Sequence, residues 1–141
     1  MTGDSWQGAG ALIFDDVGQV LLIRQNYGGR YYALPGGAIE AGETPHVAAI
    51  REVLEEAGVR IRLERLIGLY TAPSRGTWLA FVFLGVIEHG RPAVVDPTEI
   101  AEVGWFDAEH LPEPLYDSAR HAIADARAGA YGVLRDILVY D

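Results

Sequence analysis

The sequence predicts an α/β protein in which a sheet is covered by helices, and three observations predict it. Apolar runs of strand length lie both before and after residues 45–57, which read as an amphipathic helix. A second helical stretch, 116–127, follows near the end of the chain. The 141 residues show no composition shift, internal repeat or low-complexity run, so 1–141 is expected to be a single domain large enough to bury a core. Strands that flank one helix and precede another pack most simply as a sheet between helices.

Taken in order, residues 8–14 (GAGALIF) form a short apolar strand, 15–18 (DDVG) a turn, and 19–24 (QVLLIR) the returning strand. Residues 26–30 (NYGGR) are a loop. Residues 31–34 enter a glycine-rich turn, and 38–39 are compatible with a short strand. Thr44 is a good N-cap for the first helix, Pro45 suits its first position, and Gly58 sits where a C-terminal stop belongs. Residues 59–71 read as a strand with Arg60, Arg62 and Glu64 on its polar face. Residues 77–87 (TWLAFVFLGVI) read as a central strand, and 103–106 as another short one. The second helix is stopped near Gly129, and 131–140 fits helix or strand equally well.

The chemistry concentrates in the first helix. Glu52, Glu55 and Glu56 lie within five positions of each other. At about 100° of rotation per residue they share one stripe. Val47, Ile50, Leu54 and Ala57 are expected on the opposite, core-facing side. Crowded carboxylates repel, and a divalent cation turns that repulsion into coordination; hard oxygen donors suit Mg²⁺ or Mn²⁺. Three nearby glutamates alone would read as a solvated helix face. The preceding Leu34-Pro35-Gly36-Gly37 changes the balance, because the glycines open backbone conformations that let a carbonyl reach a metal held by the helix.

Residues 37–59 (GAIEAGETPHVAAIREVLEEAGV) resemble the signature of the Nudix hydrolases. The matching positions are Gly37, Glu43, Arg51, Glu52, Val53, Glu55, Glu56, Gly58 and Val59, with no departure at a fixed position. The resemblance implies an α/β/α sandwich around a mixed sheet. It also implies hydrolysis of the pyrophosphate in a nucleoside diphosphate linked to another group. By similarity, Glu52, Glu55 and Glu56 hold Mg²⁺ (or Mn²⁺) with help from the Gly36 carbonyl, while Glu43 and Arg51 support them. Two residues compete for the role of general base: Glu52, by resemblance, and Glu99, a loop acid six residues before Trp105. Glu102 is a weaker alternative to Glu99.

Substrate identity is less strongly marked. Pro73, 14 residues beyond the signature, resembles the downstream proline of ADP-ribose pyrophosphatases, at a slightly short spacing. The tyrosine of dinucleoside-polyphosphate hydrolases is missing from positions 75–77, and no coenzyme A-type motif stands out. ADP-ribose or a similar nucleoside diphosphate sugar is therefore the leading expectation. A nucleoside triphosphate pyrophosphatase, including one acting on oxidised nucleotides, is the alternative, and a nucleotide-binding module without turnover is a third reading. Arg30, Arg75 and Tyr32 are candidates for substrate contact, with Tyr27, Tyr31 and Trp78 as further aromatic surfaces. His46, His89, His110 and His121 show no metal spacing.

Charge narrows the partners. Twenty acids face eleven basic residues, all arginine, for a net charge of −9. That excludes a general nucleic-acid binder, whose partner's phosphates call for a basic surface. No apolar run is long enough to span a bilayer, and no basic-then-apolar leader is visible, so a cytoplasmic location is expected. Without cysteine there is neither a disulfide framework nor a thiol nucleophile. The resemblance makes a homodimer plausible, with residues 77–87 or the aromatic tail as candidate interfaces.

Overall fold

The computed structural model describes residues 5–138. Its elements run β1 (Ser5–Ile13), β2 (Val20–Gln25), β3 (Tyr32–Ala33), β4 (Gly36–Ala38), α1 (Pro45–Ala57), β5 (Arg60–Thr71), a single 3₁₀ turn (Pro73–Arg75), β6 (Thr77–His89), β7 (Ile100–Phe106), α2 (Asp117–Arg127) and β8 (Val133–Asp136). The tail that fitted helix or strand carries a short strand, Val133–Asp136, and no helix as far as it is described, with residues 139–141 outside the described range.

Two sheets form. The larger is mixed, in the order β4-β1-β6-β5-β8, with β1 parallel to β6 and β5 parallel to β8. The smaller, β3-β2-β7, is antiparallel. Strand β6 is flanked by β1 and β5, which is why its sequence is continuously apolar. It is not a sheet edge, and Ala80, Val82, Phe81 and Phe83 among its side chains pack into the cores on either face.

The two faces of the large sheet carry different cores. Alternation along β1 sends Leu12 toward α2, where it packs with Ile67, Tyr70, Ala122 and Ile123. Ala11 and Ile13 turn toward α1 and meet Val53, Ala57, Val59 and Ile61. The α/β/α arrangement implied by the resemblance is thus present, with the small sheet packed alongside. No helix among the described residues is long and apolar enough to cross a membrane.

Helix α1 starts and stops where the sequence predicts. Thr44 caps it by accepting from the Val47 N–H, and Gly58 ends it at φ 72° with its N–H on the Leu54 carbonyl. Its orientation differs from expectation. Ala48, Ala49, Val53 and Ala57 are buried, whereas Val47 and Leu54 are 47% and 38% exposed. Small residues face inward because the helix lies close on β1 and β4. The helix is rolled so that Glu52 and Glu56 adjoin the buried side instead of opposing it.

Candidate active site

The site begins with close backbone approaches. Gly10 on β1 pairs with Gly36 on β4, and a Cβ on Gly36 would stand 2.7 Å from the Ala9 carbonyl oxygen and the Gly10 Cα. On the other face of β4, a Cβ on Gly37 would stand 2.5–2.6 Å from the Glu52 carboxylate. Glycine at position 37 therefore allows that carboxylate to lie flat on the strand. Beside it, Glu56 Oε1 accepts the Gly36 N–H at 2.8 Å.

Arg51 braces the cluster. Its Nε and Nη2 donate to Glu43 at 2.6 and 2.9 Å, and Nη2 also donates to the Ala38 carbonyl at 3.0 Å. Its Nη1 donates to Glu52 at 3.0 Å and to Glu55 at 2.9 Å. One guanidinium fork thus ties the Gly-rich loop to the helix. It holds the Glu43 carboxyl well below its usual range, at about 2.

The remaining acids are strained electrostatically. Burial pushes the Glu56 carboxyl up to about 8. The Gly36 hydrogen bond opposes that shift, while the charges of Glu52, Glu99 and Glu55 add to it. Burial also raises Glu52, against the pull of Arg51. Glu99 lies in the turn before β7, and its charge adds to the upward shifts of Glu56 and of the Tyr27 hydroxyl, behind burial in both cases. Glu102 instead lies within β7 and accepts from the Tyr32 hydroxyl at 3.1 Å.

An oxygen-rich, desolvated and like-charged donor set suits a hard divalent cation. Among the described residues, however, no three acidic or imidazole side chains converge as a preformed metal cage. Arg51 engages Glu52 and Glu55 and supplies the neutralising charge there. Gly36 contributes its amide to Glu56, in addition to the carbonyl proposed from sequence.

A cavity of about 360 Å³ opens on the opposite side of edge strand β4. Its floor is built from Gly8, Gly10 and Ala80, and it reaches Gly36 and Gly37. Trp6 and Trp78 stack at 4.8 Å between ring centroids with 20° between planes, forming one aromatic wall. Parallel pairing puts them side by side, and Gly8 leaves room for the Trp6 indole, whose nearest atom would sit 2.0 Å from a Cβ there. Tyr27 and Tyr116 form the other wall, where the Tyr116 hydroxyl donates to Gln25 Oε1 at 2.9 Å.

Sequence reasoning found Tyr27 and Trp78 but missed Trp6, Tyr116 and Gln25. Extending the period-two alternation back from Gly8 would have put Trp6 on the same face. The three residues expected to contact substrate do not line this cavity. Tyr32 packs edge-on against Phe106 in the small sheet, with Arg24 over its ring. Arg30 is engaged with Asn26, and Arg75 lies in the 3₁₀ turn.

Comparisons with known proteins show the family and the fold. A model of the NUDIX domain matches residues 5–126. A Bacillus subtilis (strain 168) protein, provisionally assigned as an 8-oxo-dGTP diphosphatase, is 33% identical over 127 residues, 90% of this chain and 83% of its own. The ADP-ribose pyrophosphatase of Methanocaldococcus jannaschii is 34% identical over 110 residues, 74% of this chain and 64% of its own. Among solved structures, a MutT NUDIX hydrolase from Burkholderia pseudomallei superposes with a TM-score of 0.77 at 31% identity, over 86% of this chain and 98% of that one.

Proposed function

Because this chain belongs to the Nudix family of hydrolases, enzymes acting on phosphorus-containing anhydrides, we propose that it is a Mg²⁺-dependent pyrophosphohydrolase of nucleoside diphosphate sugars, with ADP-ribose as the leading substrate. One observation carries the reading. An aromatic-walled cavity reaches the glycines of β4, and the Glu52 and Glu56 carboxylates lie against the same glycines. A base stacked on Trp6 and Trp78 leaves its pyrophosphate to turn the sheet edge toward the acids. The whole chain acts as one domain.

Glu52 and Glu56, joined by Glu55, are the residues that would hold the cation, with Mn²⁺ able to replace Mg²⁺. When bound, a divalent ion supplies charge neutralisation for phosphate oxygens and a water of lowered pKa. The protein supplies the rest. Arg51 fixes the loop and the helix acids in register. Tyr27 and the indole pair orient the nucleotide and exclude water from the base. Glu99 accepts the proton of the attacking water, with Glu52 as the competing base.

A second reading, release of pyrophosphate from a nucleoside triphosphate, is favoured by the Bacillus subtilis relative. A panel of ADP-ribose, UDP-glucose, dGTP and 8-oxo-dGTP with Mg²⁺, with products identified by mass, separates the two. AMP plus ribose phosphate supports the first, and a nucleoside monophosphate plus pyrophosphate supports the second. Absence of any cleavage, together with no Mg²⁺ or Mn²⁺ uptake by calorimetry, would overturn both.

A further inference from the structure

Asn26 stands where two loops meet and is used three ways. Its main-chain N–H donates to the Glu99 carbonyl at 2.8 Å, and its Nδ2 donates to the Pro97 carbonyl at 2.9 Å. Its Oδ1 accepts from Arg30 Nη1. Arg30 itself adopts φ 53°, a left-handed conformation that a non-glycine residue holds only when its surroundings fix it. The Arg30 carbonyl in turn accepts from Arg24 Nε at 3.0 Å.

The position of Asn26 explains what these bonds achieve. The β2–β7 ladder ends at the Gln25–Ile100 pair, with a register shift just before it. Beyond that pair the 96–99 turn is shaped by its own bonds: Asp96 accepts from Thr98 and from the Glu99 N–H. Those bonds give the turn its form but do not attach it to its neighbour. Asn26 makes the attachment. The residue after it, Tyr27, is a cavity wall, and the residue whose carbonyl it grips is Glu99.

We propose that Asn26 is a positioning residue that locks the Tyr27 loop and the Glu99 turn into one unit, so that the acid is presented to the anhydride of a nucleotide whose base rests against Tyr27. The proposal rests on the pyrophosphohydrolase reading and on Glu99 acting in the site. Arg30 is then a strut for Asn26 instead of a phosphate ligand.

The test combines a double-mutant cycle with hydrogen–deuterium exchange. Asn26→Ala and Glu99→Gln are made singly and together, and assayed with ADP-ribose and with dGTP in the presence of Mg²⁺. Asn26→Ala should lower kcat about 10- to 100-fold, speed amide exchange across residues 96–100, and cost nothing further in the Glu99→Gln background. Arg30→Gln, which removes one of the three bonds, should show a smaller loss of the same kind and serves if Asn26→Ala does not fold. Additive losses in the cycle, or unchanged exchange at 96–100, would overturn the positioning role and leave the reaction standing. Full activity of Glu99→Gln, or no turnover of either substrate by the unaltered enzyme, would remove the premise and the role together.

Discussion

Gly37 and Glu52 are a matched pair: the absence of one side chain makes room for the other. Gly37→Ala would drive its Cβ into the Glu52 carboxylate, which has to move. We expect kcat to fall about 100-fold with the melting temperature changed by no more than about 4 °C, measured by steady-state kinetics and thermal unfolding. Glu56 makes a different kind of test. Its carboxyl is held up to about 8 by burial, so its ionised form is costly to the folded protein near neutral pH. Glutamine keeps an oxygen for the Gly36 N–H and removes the charge. Glu56→Gln should therefore raise the melting temperature of metal-free protein at pH 8 by about 2–8 °C, while turnover drops at least about 100-fold. A melting temperature lower than that of the unaltered protein would show that the buried charge is not a burden.

At the level of the element, α1 shows what a sequence can and cannot disclose. Its ends are local events: a threonine cap, a proline in the first turn and a left-handed glycine all read directly from neighbouring residues. Its roll is not local. Val47 and Leu54 look like core residues by hydropathy, yet Ala48 and Ala49 face inward because only small side chains fit against β1 and β4. The carboxylate cluster was legible because its spacing lies within one helix. The aromatic wall was not, since the register of β1 with β6 brings together Trp6 and Trp78 from distant parts of the chain. The setting of Arg30 was hidden for a similar reason: its partner Asn26 is local, but Asn26 is itself tied to Pro97 and Glu99 across the sheet. The brace within α1 is testable by substitution. Arg51→Lys keeps the charge and loses the fork that spans Glu43, Ala38, Glu52 and Glu55. It should cost about 1–3 kcal/mol in denaturant unfolding, and an unchanged midpoint would count against the brace.

For the whole molecule, the anchor on the α2 face is a buried carboxylate, Asp125, paired with a partly exposed arginine. Asp125 accepts from the Tyr70 hydroxyl at 2.9 Å and from Arg135 Nε at 2.7 Å, joining α2 to β5 and β8. Arg135 chiefly holds the Asp125 carboxyl below its ordinary value, against the effect of burial. A depressed carboxyl stabilises the fold fully above the ordinary aspartate range, near about 4. That contribution is lost as pH falls through the lower folded value. Asp125→Asn should thus be less stable by about 1–3 kcal/mol at pH 7, with the gap narrowing as the medium is acidified toward pH 2. Urea midpoints for both proteins at a series of pH values provide the check, and a gap that widens in acid would contradict it.

The paired indoles of Trp6 and Trp78 have a consequence beyond recognition. Two chromophores stacked this closely share their excited states, so the pair should produce a coupled band in near-ultraviolet circular dichroism. A purine entering the cavity would perturb that band, and the protein would carry a built-in optical gauge of occupancy that needs no label and no turnover.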